Sequence, residues 1–352
     1  PPHQAECVCF DITDQASVDK ALARVRLAYG DRIAACIHLA AYFDLSGEES
    51  PAYDAVTVEG TKRLLSGLQK FELEQFVFAS TMLAHAPTEP GRPIAEDHPF
   101  DAKLPYRASK IRTEAMLRAE RGKEKLVLMR PAGVYDDTGQ STFLVHQIAR
   151  IHEQRFSGKV YPGDLARGQV FLHLEDLLDA VERIVDRRSD LPDVFPVLLG
   201  ENKPVPFGEL QRLIGRELHC EDWITWNVPP RMAKLGAWIE NRVFGENAFI
   251  RAWMVDISSD HYELDLTAAK EHLGWTPRHS LRDDIPRIVE NLKNDPYDWY
   301  RSNGLNAARV SAAKVEKAAA EEEADEAPPQ AEQDANDREH AAHMRQMHFS
   351  ML

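Results

Sequence analysis

The feature that most limits this chain's fold is an alternation in its first half. Short apolar runs at about 6–10, 33–39, 75–80 and 126–130 are separated by longer, polar-faced stretches at about 15–29, 51–70, 107–121 and 142–154. Strand-length runs alternating with helix-length segments mark βαβ units, and these build a parallel sheet with helices on both faces. The expected fold class is therefore α/β, a doubly wound parallel sheet. Ligands of such sheets sit beyond the carboxyl ends of the strands. Asp11, Leu39, Thr81 and Pro131 all fall just past an apolar run, so one site is expected to gather them.

Beyond about residue 155 the pattern changes. Short strands are expected near 168–172 and 194–199, helices near 174–187 and 207–216, and a further strand from Trp223 to Trp226. The expected organisation is a cofactor-binding core over 1–155, then a smaller substrate lobe over 156–300 with segments returning to the core. A low-complexity tail follows over 301–352. Its acidic run from Glu321 to Glu326 repels itself and stays solvated. Apolar character returns between His340 and Leu352, which reads either as an ordinary frayed tail or as the approach to a further domain beyond Leu352, membrane-embedded in one version. Residues 228–255 interleave aromatic and aliphatic side chains with Arg and Lys. They read first as helices packed on the substrate lobe, and second as an interfacial element that associates with a membrane.

The net charge of −15 argues against nucleic acid as a partner, because no basic stripe exists to neutralise phosphates. Cys7, Cys9, Cys36 and Cys220 form no Cys-x-x-Cys pair. Cys7 and Cys9 share one face of an expected strand and read as small core residues, and a reducing cytoplasm fits this usage. The 14 histidines show no metal-binding spacing, so no metal is expected.

Chemistry concentrates at Tyr106-Arg-Ala-Ser-Lys110. Positions i and i+4 share a helix face. An ammonium held near a phenol favours phenolate and lowers its pKa from about 10. Thr81, at the end of the preceding apolar run, can hold a substrate oxygen. A Thr/Tyr/Lys set of this kind can take a proton from an alcohol while a hydride leaves its carbon.

The surrounding segments resemble the extended short-chain dehydrogenase/reductase family, which contains nucleotide-sugar epimerases and dehydratases and relatives of the hydroxysteroid dehydrogenases. Cys7-Val-Cys-Phe-Asp-Ile-Thr-Asp14 looks like the strand whose terminal acid-apolar pair meets adenine. Ile37-His-Leu-Ala-Ala41 resembles the strand and turn that pass the cofactor's ribose and pyrophosphate. Val58-Glu-Gly-Thr-Lys-Arg-Leu-Leu65 is similar to the helix that follows. Thr81, Tyr106, Lys110 and Arg130-Pro131 come next, then Val170-Phe-Leu-His-Leu-Glu-Asp176 and Leu273-Gly-Trp-Thr-Pro277. The resemblance covers roughly residues 5 to 295.

Two departures stand out. The family's opening Gly-x-x-Gly-x-x-Gly turn is not in the sequence, and the chain begins at Pro1 inside what would be the family's third strand. The simplest expectation is an N-terminally truncated Rossmann-type domain lacking about 50 to 60 residues of the first βαβ unit. Thr57 stands where the family carries an asparagine that positions the catalytic strand.

The resemblance implies NAD or NADP as cofactor and a small-molecule substrate. Tyr106 is implied as general acid/base, with Lys110 tuning it and binding the nicotinamide ribose, and Thr81 donating to the substrate oxygen. Asp11 and Ile12 are implied to hold adenine, Leu39, Ala40 and Ala41 to line the cofactor's path, and Pro131 and Val134 to flank the nicotinamide. The choice between NAD and NADP stays open, since the deciding residues would follow a strand this chain lacks. A nucleotide sugar is the usual substrate, a lipophilic alcohol competes, and a non-catalytic cofactor-binding scaffold is the reading from another class. Met82 and Leu83 stand where sugar dehydratases carry an Asp-Glu pair, which disfavours dehydration. His173 reads as a structural hydrogen-bonding group, and Tyr135 and Tyr161 as open candidates for substrate contact. The helix bearing Tyr106 and the one after Ala41 are those that pair relatives into homodimers.

Overall fold

The computed structural model describes residues 6–44, 47–228, 255 and 258–310. The first helix begins where Asp14 supplies a cap, its carboxylate accepting from the Ala16 and Ser17 amides. This helix, α1 (Gln15–Tyr29), ends at Gly30, whose φ of 85° suits glycine alone. Strands β1 (Arg32–Ile33) and β2 (Cys36–His38) follow. A π-helical turn at Tyr53–Val58 then leads into α2 (Glu59–Leu68). Next come β3 (Glu72–Leu73), β4 (Gln75–Ala79), α3 (Pro105–Glu120), β5 (Lys125–Pro131), β6 (Gly133–Tyr135) and α4 (Thr142–His152). The later part holds β7 (Val160–Tyr161), β8 (Gly168–Gln169), β9 (Phe171–His173), α5 (Leu174–Asp186), β10 (Val194–Leu199), β11 (Val205–Pro206), α6 (Phe207–His219), β12 (Trp226–Asn227) and α7 (Leu281–Asn294). Residues 1–291 belong to one compact unit, and those from 292 on, including α8 (Pro296–Ser302), to a second.

The main sheet runs β10-β5-β4-β2, and every pairing in it is parallel. Its strands are apolar on both faces, as a sheet covered on both sides requires. On one face Phe76, Phe78, Leu126 and Leu128 pack with Leu64, Leu65 and Leu68 of α2 and Leu117 of α3. On the other, Val77, Val127, Met129, Val197 and Leu199 pack with Ala180 and Ile184 of α5 and with Trp275. The period of two along each strand sorts the side chains to these two cores. This is the doubly wound architecture that the alternation predicts.

Two expectations fail at the start of the chain. Residues 6–10 form no strand, because no described strand lies beside them to complete a ladder. Cys7 and Cys9 are consequently exposed rather than core residues. Of the residues 228–255 only the two ends are described, so neither reading of that segment is addressed, and the tail beyond residue 310 also lies outside the described residues. No described helix is long and apolar enough to cross a membrane.

Candidate active site

β4 ends at Ala79, and Thr81 then leaves the sheet with extended backbone, its hydroxyl accepting from the Leu83 amide at 3.2 Å. The helix α3 starts at Pro105, a residue suited to a first turn because it lacks the N–H that would go unpaired there. Tyr106, Lys110 and Glu114 follow at four-residue intervals and lie along one face. That face brings Lys110 against the end of β4. Its ammonium, 3% exposed, donates to the Ala79 carbonyl at 2.6 Å and lies 4.8 Å from the Phe78 ring centre and 5.8 Å from that of Tyr106. The structure thus gathers Thr81, Tyr106 and Lys110.

Burial governs the electrostatics here. It pushes the Tyr106 phenol up to about 12, with hydrogen bonding from Thr81 pulling the other way. It draws the Lys110 ammonium down to about 8, opposed by the Glu114 carboxylate. Glu114 in turn is locked to Arg130 of β5 by two hydrogen bonds, at 3.0 and 2.6 Å, in a pair almost wholly buried. Arg130 also donates to the Glu96 carbonyl at 2.8 Å and meets His85 Nε2 at 3.0 Å. Arg130 can only donate and His85 Nδ1 bonds the His98 carbonyl, so Nδ1 carries the His85 proton.

A threonine network supports α3 from the other side. Thr57 accepts the Tyr42 amide on its hydroxyl at 2.9 Å and its carbonyl accepts from Thr61 at 2.6 Å, while the Thr113 hydroxyl of α3, 3.5 Å from that carbonyl, gives its proton to the Ser109 carbonyl at 2.8 Å. A threonine in the asparagine's place therefore still ties Tyr42 to the Tyr53–Val58 turn, which packs on α3. The Thr61 hydroxyl is already donating, so the bond of 2.8 Å to His38 Nε2 needs the proton on that nitrogen. Burial first and the Lys110 charge second lower His38 to about 4, keeping it neutral.

Over Tyr106 lies a cavity of about 70 Å³. Phe43 covers the phenol ring edge-on at 4.9 Å between centroids, and Tyr53, Leu83, Leu104 and Phe143 continue a largely apolar wall that also includes Arg107 and Asp44. Sequence reasoning missed Phe43, Phe143 and Arg107. Arg107 carries the one available signal, adjacency to Tyr106.

The residues expected to meet a dinucleotide include exposed ones, Asp11, Leu39 and Ala40, open to contact by such a group. Asp11 stands exposed, its pKa lowered first by the Thr13 hydroxyl, which donates to Oδ1 at 2.7 Å. Ile12 packs beside Gly60 of α2, where an added Cβ would lie 3.1 Å from it. Leu39 and Ala40 are exposed just beyond β2, and Leu39, at 64% exposure, is the kind of residue a flat ring would cover. Ala41 is half-buried. Pro131 is the last residue of β5, in register with Leu199, and Val134 of β6 pairs with Leu172 of β9. No glycine-rich turn stands among the described residues to receive the pyrophosphate.

Other candidates are occupied by structural bonds. Tyr135 donates to Asp284 and Tyr161 to the Ser258 carbonyl, each at 2.7 Å. His173, Glu175 and His279 bring metal-ligand atoms within 4.8 Å of one another. His173 Nδ1, however, accepts from the Glu175 amide at 3.3 Å and caps α5, which leaves Nε2 to donate to Asp137 at 3.1 Å. Both nitrogens are thereby engaged, in the structural role expected of this residue.

The parallel sheet with helices on both faces defines a Rossmann-type α/β protein. A family model described as the NAD dependent epimerase/dehydratase family matches residues 2–197. The chain belongs to this family, within the extended short-chain dehydrogenases/reductases. It is 24% identical over 301 residues to a putative UDP-glucose 4-epimerase of Methanocaldococcus jannaschii, covering 83% of this chain and 85% of that one. It is 26% identical over 263 residues to a UDP-glucose 4-epimerase of Mycolicibacterium smegmatis, covering 73% and 75%. Among solved structures, MoeE5 in complex with UDP-glucose and NAD is similar in fold, with a TM-score of 0.58 at 20% identity over 80% of this chain and 85% of that one.

Proposed function

We propose that this chain is an NAD(P)-dependent oxidoreductase or epimerase that moves a hydride to or from an alcohol carbon, with Tyr106 carrying the proton. The convergence of Thr81, Tyr106 and Lys110 at the end of β4 supports this reading. A bound nicotinamide supplies the hydride donor or acceptor. The chain's own groups orient the substrate and handle the proton. With its pKa near 12, the Tyr106 phenol holds its proton at neutral pH and can deliver it to a carbonyl oxygen. In the oxidative direction the phenol must first lose its proton, and the ammonium one helical turn along stabilises the phenolate that then takes the alcohol's proton and returns to neutral phenol. Thr81 donates to the same substrate oxygen. Asp11 and Ile12 hold the adenine, Leu39, Ala40 and Ala41 line the path, and Pro131 and Val134 flank the nicotinamide.

The substrate we propose is a nucleotide sugar, on the strength of the two relatives named UDP-glucose 4-epimerase. A lipophilic alcohol is the second reading, favoured by the apolar wall of Phe43, Leu83, Leu104 and Phe143. A silent scaffold is disfavoured by the intact Thr81, Tyr106 and Lys110. The test is interconversion of UDP-glucose and UDP-galactose by the full chain with NAD, compared with oxidation of a hydrophobic secondary alcohol. Turnover of the sugar alone supports the first reading, of the alcohol alone the second, and of neither the scaffold.

A further inference from the structure

We propose that Phe43 decides which substrates reach the Tyr106 hydroxyl, its ring capping the cavity over the phenol and giving way to a six-membered ring that bears the reacting alcohol. This deepens the catalytic reading above and rests on it. Phe43, Tyr53, Leu83, Leu104, Tyr106 and Phe143 line that cavity, whose volume is about 70 Å³. A dry cavity of about 150 Å³ is what admits a benzene molecule. A saturated six-membered ring is thicker than benzene, so it cannot seat itself over the phenol with the wall as it stands. Part of the wall has to move.

Three observations single out Phe43. Its ring centre lies 4.9 Å from that of Tyr106 with the planes 78° apart, an edge-to-face contact of modest strength made directly on the reacting group. It is 55% exposed, whereas Tyr53 on the same wall is buried, so turning it away from the phenol breaks little packing. It also lies in an irregular segment, so no helical turn restricts its χ1. Phe143, the other exposed ring on the wall, stands in the first turn of α4 beside the buried Leu144 and Val145, where the helix limits its rotamers. The backbone on either side of Phe43 is held. The Tyr42 amide donates to the Thr57 hydroxyl at 2.9 Å, the Tyr53 hydroxyl donates to the Asp44 carbonyl at 3.4 Å, and the rings of Tyr42 and Tyr53 meet at 4.9 Å. A swing of the one side chain therefore opens the site without moving the segment that carries it. With Phe43 aside, the walls left beside the phenol, Leu83, Leu104 and Phe143, suit the C–H faces of a saturated ring. A pyranose and a cyclohexanol share that chemistry.

The test uses Phe43→Ala and Phe43→Trp in the full chain. More than half of Phe43 is exposed, so both variants should melt with the parent; Phe43→Leu takes the place of an alanine variant that does not. The first readout is acetylation of phenols by N-acetylimidazole, followed by mass spectrometry of the peptide carrying Tyr106, with the exposed Tyr29 as internal standard. Relative to Tyr29, Tyr106 should be acetylated several times faster in the alanine (or leucine) variant than in the parent, and more slowly in the tryptophan variant. Equal ratios across the parent and the variants would overturn the proposal, and this readout needs no turnover. The second readout is kcat/KM with NAD for UDP-glucose and for cyclohexanol. On the one that the parent turns over, the tryptophan variant should lose about tenfold or more, and an unchanged value would overturn the proposal. Turnover of UDP-glucose identifies the ring as a pyranose, and of cyclohexanol as a lipophilic one. If the parent turns over neither, the catalytic reading fails separately, and the acetylation ratios alone decide whether Phe43 caps the phenol.

Discussion

The Lys110 ammonium stands 5.8 Å from the centre of the Tyr106 ring and donates to the Ala79 carbonyl at 2.6 Å. Its charge is thus anchored to the strand end. Burial lowers Lys110 to about 8, below its ordinary value of 10.5. Between these two pH values the unfolded chain holds a proton that the folded chain has lost, so stability rises with pH across the window. Above 10.5 the full gain is present, and it is lost as pH falls to 8. Denaturant unfolding at pH 8 and pH 10 should show this rise, at up to about 1.4 kcal/mol per pH unit. Lys110→Met should remove that component of the slope. An unchanged slope would show that the ammonium is better solvated than its surroundings imply.

On the acid side, His38 and His85 contribute to a second window, which His146, lowered by burial to about 4, and His152, also lowered by burial, share. Burial, then the neighbouring Lys110 or Arg130 charge, lowers His38 and His85 to about 4 from 6.5. The unfolded chain gains protons first as the pH falls, so the stability present above 6.5 is lost towards 4. Each such group adds a slope of up to about 1.4 kcal/mol per pH unit. His85→Gln should flatten the fall between pH 6.5 and 4.5 in urea titrations, and an equally steep fall would assign it to other groups.

Glu114 and Arg130 are a buried pair whose partners cannot be removed singly. Glu114→Ala leaves a guanidinium without its carboxylate and should cost roughly 3–5 kcal/mol. The double replacement Glu114→Leu, Arg130→Met should recover much of that loss, as measured by equilibrium unfolding. A double variant as unstable as the single one would show that the pair's value lies in its other contacts, His85 and the Glu96 carbonyl.

In the later part of the unit, Gly168 permits a close approach of two strands. A Cβ there would lie 2.2 Å from the Val205 carbonyl oxygen, a backbone atom that cannot swing aside. Gly168→Ala should separate β8 from β11 and destabilise the protein by roughly 2–4 kcal/mol. Amide exchange at Val205 and Tyr262 is the direct readout, and unaltered protection would contradict the expected separation.

Much of the main sheet was legible because its signals are local. The runs 75–80, 126–130 and 194–199 are strands, and α1 and α5 fall within a residue of their expected limits. Their apolar periodicity and caps lie within each segment. The run 6–10 failed because a strand needs a neighbour, and its own composition cannot supply one. Tyr106 and Lys110 were legible from their spacing, and Thr81 from its position past a strand. Arg107 shows the limit: its partner Asp260 is remote in sequence and joins it only through the return of the chain. The loose ion pairs of Arg107 with Asp101 and Asp260 depend on distances that no residue pattern encodes.

The central claim is that Tyr106 transfers the proton that accompanies hydride transfer. The most direct measurement is single-turnover formation of the reduced nicotinamide by the full chain with NAD and UDP-glucose, comparing the parent with Tyr106→Phe. The account predicts a rate loss of about 10²–10⁴ with unchanged melting temperature and nucleotide-sugar affinity. A phenylalanine variant that reduces the cofactor as fast as the parent would contradict it.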